Sequence, residues 1–344
     1  MKIAVDAMGG DFAPANILEG AALALSKLDW LDELVLVGHQ EKIAFYMDKL
    51  ELSWHPKVRK VHAASVVEMR DPSTAVLRGK RDSSMTVCAK LLRDREVDAI
   101  VSAGHTGAAV ASSTVLARTL PGIDRPAIAT IMPNMQGRFV LIDAGANTDC
   151  KPFNLAQFAI MGECYYRLVF GVENARVGLL SVGGEDIKGN EVTKETFKLL
   201  SGMPLNFIGN VEGNTIFEGA ADVVVCDGFI GNVLLKSCEG LARTVMYWLK
   251  DAFTKDPIRK TGAMLAKNAF RDLKEIGDAD SCGGAPLLGI NGVCIIGHGS
   301  SSPKAVYNAI RVAGESVKYR MNDMIVKRIA ECGINLEKKN LAEG

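Results

Sequence analysis

The side chains that could do chemistry in this chain collect in six short, glycine-rich turns: Asp6–Asp11, Ser102–Gly107, Asp143–Asn147, Gly183–Asn190, Asp227–Asn232 and Gly297–Ser301. Each follows an apolar run that reads as a buried strand. Small residues let the backbone turn with its N–H groups unpaired, and a helix starting there adds the positive end of its dipole. That combination suits an anion, above all phosphate. The residues placed to touch it are Gly9, Gly10 and Asp11, then His105 and Thr106, Asn147, Asn190, Gly231, and His298 with Ser300. Lys188 is the only lysine or arginine within these turns, and it is flanked by Gly183, Gly184 and Gly189. It can neutralise a phosphate or a developing oxyanion. The stretch Ala221–Lys236 organises the rest. Val223-Val224-Val225 is a strand, Asp227 to Gly231 a turn, and Val233-Leu234-Leu235-Lys236 a helix, with Asp227 and Asn232 as its polar side chains.

The elements that position these turns alternate. Strands are expected at Ile3–Val5, Leu34–Gly38, Val58–Ala63, Ala99–Val101, Ala127–Met132, Phe139–Ile142, Val177–Val182 and Val293–Ile296, and Phe207–Gly213 carries the chain into Ala221–Lys236. Helical spacing lies between most of them, so the chain reads as α/β, with a mostly parallel sheet covered by helices on both faces. Ligands of such sheets bind beyond the carboxyl ends of the strands, where these turns would form one shared floor. Ser281–Asn291 reads as a glycine-rich loop.

Bulk properties narrow the function. The 344 residues carry a net charge of +0 and only 6% aromatics, which argues against nucleic acid as a partner. The eight cysteines form no CxxC pair, and most sit in apolar runs as reduced core thiols. No GxGxxG follows the first strand, no GxSxG elbow is present, and no acidic or histidine cluster has metal spacing. No metal and no cofactor are therefore expected. No window is apolar enough to span a bilayer.

Residues 241–276 differ from the rest. They read as a helical hairpin with Leu241, Val245, Trp248, Leu249, Ala252 and Phe253 on one face of its first arm. Eight lysines and arginines against four acids leave the segment about +4 on a neutral chain. It suits a dimer or core-packing hairpin, or an anionic membrane surface, or both. Residues 1–335 are expected to form a single catalytic domain, and 336–344 a flexible tail.

In order along nearly the whole chain, MKIAVDAMGGDFAP, DSSM, SAGHTGA, DAGAN, KGNE, CDGFIGNVLLK, GGAPLLGINGV and GHGSS resemble the PlsX family of bacterial phosphate acyltransferases. The family motif usually reads SAGNTGA, and His105 takes the asparagine's place. The resemblance implies a three-layer α/β/α, doubly wound fold like isopropylmalate dehydrogenase and phosphotransacetylase. It implies formation of acyl phosphate from acyl-acyl-carrier-protein and inorganic phosphate, for a downstream glycerol-3-phosphate acyltransferase in phospholipid synthesis. It further implies a cytoplasmic homodimer attached peripherally to the inner face of the membrane. On that reading Lys188 and Asn232 hold the reacting phosphate and carbonyl, Asp227 orients one of them, and Arg78, Lys80 and Arg81 or the hairpin lysines dock the acidic carrier. A decarboxylating 2-hydroxy-acid dehydrogenase on a related fold and a non-catalytic membrane scaffold are the alternatives.

Overall fold

The computed structural model describes residues 1–276 and 283–334. Ser281, Cys282 and the tail 336–344 lie outside the described residues. Eleven strands form one sheet in the order β3-β2-β1-β4-β11-β10-β5-β6-β9-β7-β8. They are β1 (Lys2–Asp6), β2 (Glu33–Gly38), β3 (Val58–His62), β4 (Ala99–Ser102), β5 (Ala127–Asn134), β6 (Gly137–Ile142), β7 (Val177–Leu180), β8 (Phe207–Val211), β9 (Val223–Val225), β10 (Ala285–Leu288) and β11 (Val293–Ile296).

Helices cover both faces. They are α1 (Ala15–Lys27), α2 (Gln40–Lys49), α3 (Ala75–Arg78), α4 (Ser84–Arg93), α5 (Thr106–Ser112), α6 (Pro152–Phe170), α7 (Glu191–Ser201), α8 (Thr215–Glu218), α9 (Gly228–Thr254), α10 (Pro257–Leu265), α11 (Lys267–Ile276), α12 (Pro303–Lys318) and α13 (Met321–Glu331). This is the three-layer, mostly parallel α/β architecture expected. Val223, Val224 and Val225 are fully buried, as a strand covered on both faces requires, each contributing roughly 1.5–3 kcal/mol. Ser83 and Ser302 cap the helices that follow them, their side chains accepting from the Thr86 and Ala305 amides respectively.

β10 is not legible in the sequence. Its Pro286 and flanking glycines hide a strand inside what reads as a loop, yet Ala285 pairs with Ile296 and Leu288 with Ala127. This strand has a large consequence. It runs antiparallel to both β11 and β5, and β5 runs antiparallel to β6. The sheet is therefore two parallel halves of opposite direction, β3-β2-β1-β4-β11 and β6-β9-β7-β8, joined through β10 and β5. The glycine turns do not share one edge. Those after β1, β4 and β11 belong to one half, and those after β6, β7 and β9 to the other.

The seven cysteines among the described residues are free thiols, five of them buried. α9 is a continuous helix of 27 residues that starts in the body of the protein and runs out to the hairpin, where α10 and α11 return. Phe253 and Phe270 meet edge to face at 5.0 Å, tying the arms together. Leu241, Trp248, Ile258, Met264 and Leu265 are exposed along it.

Candidate active site

The first half-sheet contributes three turns packed on one another. Asp6, buried at the end of β1, accepts from the Met8 amide at 3.1 Å and from the Ser102 hydroxyl at 2.8 Å. Burial pushes its pKa up, against these hydrogen bonds. The Asp11 amide donates to the Gly299 carbonyl at 2.7 Å, and the Gly297 amide to the Ser102 carbonyl at 2.8 Å. Gly9 is obligatory: a Cβ there would stand 2.7 Å from the Gly104 nitrogen.

The second half-sheet contributes the Asp143 turn and the start of α9. One carboxylate oxygen of Asp143 accepts from the amides of Ile128, Gly145 and Ala146 at 2.9–3.1 Å. The other accepts from the Asn147 amide and carboxamide at 2.7 and 2.8 Å. Burial pushes this pKa up as well. α9 docks on that turn: the Gly228 amide donates to the Asn147 carbonyl at 2.7 Å, and a Cβ at Gly231 would lie only 1.9 Å from the Asp143 carbonyl oxygen. Asn232 is thereby held against Gly145.

Where the two halves meet lies a cavity of about 540 Å³. Its polar wall takes Thr106 and His298 from the first half and Gly145 and Asn232 from the second. Its apolar wall includes Ile131, Met132, Phe217 and Leu235. The topology that separates the turns onto opposite half-sheets thus brings two pairs of them together at the central antiparallel strands. The Ser300 amide donates to His298 Nδ1 at 3.2 Å, an arrangement that suits the tautomer with its N–H at Nε2. The Ser300 hydroxyl lies 2.7 Å from the same Nδ1, and Ser300 does not line the cavity.

Several residues expected to touch a ligand have side chains engaged in the scaffold. His105 caps α5, its Nδ1 accepting from the Ala108 amide at 3.1 Å and its Nε2 facing the Asp71 carbonyl at 3.1 Å. A ring nitrogen does here what an asparagine cap would do. Asn147 gives its carboxamide N–H groups to Asp143 and to the Pro126 carbonyl. Asn190 caps α7 through the Thr193 amide at 2.9 Å. Asp227, expected to orient Lys188 or Asn232, caps α9 through the Ile230 amide at 2.8 Å. The Gly231 amide is used within the helix by the Asp227 carbonyl. The start of α9 therefore offers side chains to the cavity more than amides, because its first turn is pinned to the Asp143 loop. Gly10 and Asp11 pack on the Gly299 turn and Gly9 on Gly104, and none of the three lines the cavity.

Lys188 sits on the turn after β7, which neighbours β9, on the same edge of the second half-sheet as the start of α9. It is exposed and outside the cavity wall. Sequence reasoning passes over Lys236, which does line the cavity and pairs with Glu239 at 2.9 Å. Its signal is present in the spacing: four residues after Asn232, it falls on the same helix face. Of the proposed carrier-docking cluster, Lys80 pairs with Asp71 at 2.7 Å and Arg81 bonds the Leu77 carbonyl, while Arg78 is exposed.

Similarity to known proteins bears on this cavity. Residues 1–324 match the family described as "Fatty acid synthesis protein". The phosphate acyltransferase of Desulfitobacterium hafniense (strain DSM 10664 / DCB-2) is 47% identical over 330 residues, covering 96% of this chain and 98% of its own. This chain belongs to the phosphate acyltransferase family. The phosphate acyltransferase of Pelotomaculum thermopropionicum is 46% identical over 343 residues, covering 100% of this chain and 99% of its own. Among solved structures, a phosphotransacetylase from Streptococcus pyogenes superposes with a TM-score of 0.61 at 19% identity, covering 93% of this chain and 94% of that one. EutD phosphotransacetylase from Staphylococcus aureus gives 0.57 at 16% identity, covering 92% and 94%. These two likenesses establish the fold, and the family membership makes the protein an acyl-transfer enzyme that works with phosphate. No helix among the described residues is long and apolar enough to cross a membrane.

Proposed function

We propose that this phosphate acyltransferase forms acyl phosphate from an acyl-acyl-carrier-protein thioester and inorganic phosphate, by direct attack of phosphate on the thioester, in phospholipid synthesis. The observation that carries the reading is the cavity itself, polar at Thr106, Asn232, Lys236 and His298 and apolar beyond them. Phosphate is already an anionic nucleophile, so the protein has only to hold it against the carbonyl, which positioning can accelerate by several orders of magnitude. A phosphate oxygen forms the new C–O bond, the C–S bond breaks, and the thiolate leaves and takes a proton. Asn232 donates to the tetrahedral oxyanion, a contribution of roughly 3 kcal/mol for one well-placed donor. Lys236 supplies charge from within the cavity, and Lys188 supplies it from the neighbouring turn. Nε2–H of His298 donates to phosphate or to the departing sulfur.

The partners follow from the same reading. Carrier protein is acidic, and Arg78 with the hairpin lysines offers it basic groups. The exposed apolar residues of the hairpin, with its excess of positive charge, suit a second copy of the chain at the base and the inner face of the membrane at the tip. From there acyl phosphate passes to a glycerol-3-phosphate acyltransferase. The test is to incubate the purified protein with acyl-carrier-protein thioester and phosphate and to trap acyl phosphate with hydroxylamine. Phosphate-dependent product is expected. Its absence, with carrier thioester intact, refutes the reading.

A further inference from the structure

We propose that the groove between α9 and β5 is the channel for the donor's acyl chain, and that its reach is set at Ala242. The inference rests on the acyl-transfer reading above and adds the path and length of the substrate's tail. Asn232, Leu235, Glu239 and Ala242 all line the cavity, at the three- and four-residue spacing that makes one stripe along a helix. Cys238, beside that stripe, lines it too. Met132 and Pro133 of β5, with Phe217, form the facing wall. The polar end of the stripe is Asn232, against Gly145, where the thioester carbonyl is placed. Past it the walls are mostly small or apolar; the charged groups among them are Lys236 and Glu239, which pair with each other, and Arg138, which is also partnered.

The cavity has a second apolar side, at Val5, Val306 and Ala309, but these are core residues almost wholly buried between the sheet, α1 and α12. A chain would have to displace them. Leu235, Cys238 and Phe217 are half-buried and Ala242 is exposed, so the α9 side is open to an occupant. From Asn232 to Ala242 the helix rises about 15 Å. With carbon–carbon bonds of about 1.5 Å, an extended chain advances roughly 1.25 Å per carbon, so about twelve carbons fit beside the helix. A longer tail passes Ala242 onto the exposed Val245 of the hairpin.

The experiment compares octanoyl and hexadecanoyl donors with wild type, Ala242→Trp and Cys238→Phe, each checked by thermal melt. Ala242→Trp should lower the ratio of hexadecanoyl to octanoyl turnover at least tenfold. Cys238→Phe, about 9 Å from Asn232 along the helix, should move the length limit down to about seven carbons. Leu241→Trp, which does not line the cavity, should leave the ratio within twofold. A parallel arm displaces cis-parinaric acid with dodecanoate, and Ala242→Trp should weaken that displacement at least tenfold. Equal losses on both donors together with unchanged dodecanoate displacement overturn the channel. If wild type forms no acyl phosphate from any donor, the acyl-transfer reading fails, and the displacement arm alone decides whether this groove holds an acyl chain.

Discussion

Gly231→Ala tests the docking that delivers Asn232 and Lys236 to the cavity. A Cβ at this position would stand 1.9 Å from the Asp143 carbonyl oxygen, whereas real Cβ contacts do not come closer than 3.0 Å. The neighbour is backbone, in a turn fixed by five hydrogen bonds to the Asp143 carboxylate, so it cannot swing aside. The start of α9 must therefore back away by about 1.1 Å, the difference between those two distances. Displacement of a reacting group by about 1 Å can cost on the order of a hundredfold in rate. Overpacking of this kind also costs about 1–3 kcal/mol of stability. Gly240→Ala is the control, because nothing lies within 4 Å of its Cβ and it sits on the same helix. That change should be neutral or add up to about 1 kcal/mol through helix propensity. The assay is hydroxylamine-trapped acyl phosphate beside a thermal melt. A folded Gly231→Ala protein with wild-type turnover refutes the argument that this contact sets the site.

Asn232→Ala should melt like wild type and lose about a hundredfold or more in turnover, measured with saturating donor. Lys236→Ala and Lys188→Ala should each lower kcat/KM for phosphate at least tenfold, the larger loss falling on Lys236, and steady-state phosphate titration separates them. Leu265→Glu, at an exposed apolar position of the hairpin, should release the protein from anionic vesicles in a sedimentation assay without lowering its melting temperature. Asp143→Asn should be destabilising by a few kcal/mol, since its amide group faces the Asn147 donors. Burial raises the folded pKa of Asp143 above 3.8, so the stability it contributes is full below that value and declines as pH rises through the raised pKa. Urea titrations across that window should show the gap between wild type and Asp143→Asn narrowing as pH rises.

The alternation of strand and helix and the buried valines before Asp227 were legible because each follows from local spacing and side-chain chemistry. The reversal of the sheet was not. It depends on β10, four residues containing a proline between glycine turns, whose strand character comes from its neighbours β11 and β5 and not from its own composition. With that reversal unseen, six glycine turns looked like one floor. The cavity was half legible: Asn232, Thr106 and His298 line it, while His105, Asn147, Asn190 and Asp227 spend their side chains on caps and turns. A polar residue beside a helix start satisfies backbone donors as readily as a ligand does, and sequence spacing does not distinguish the two. Lys236 was overlooked because it falls outside a glycine turn, although its register with Asn232 places it on the cavity face.

The most direct test of the central claim is a crystal structure of the enzyme with bound phosphate. The account predicts a phosphate within hydrogen-bond reach, about 3 Å, of the Asn232 carboxamide, at the junction of the two half-sheets and beside Lys236. Phosphate held only at the Lys188 turn, with the cavity beside Asn232 left to water, contradicts it.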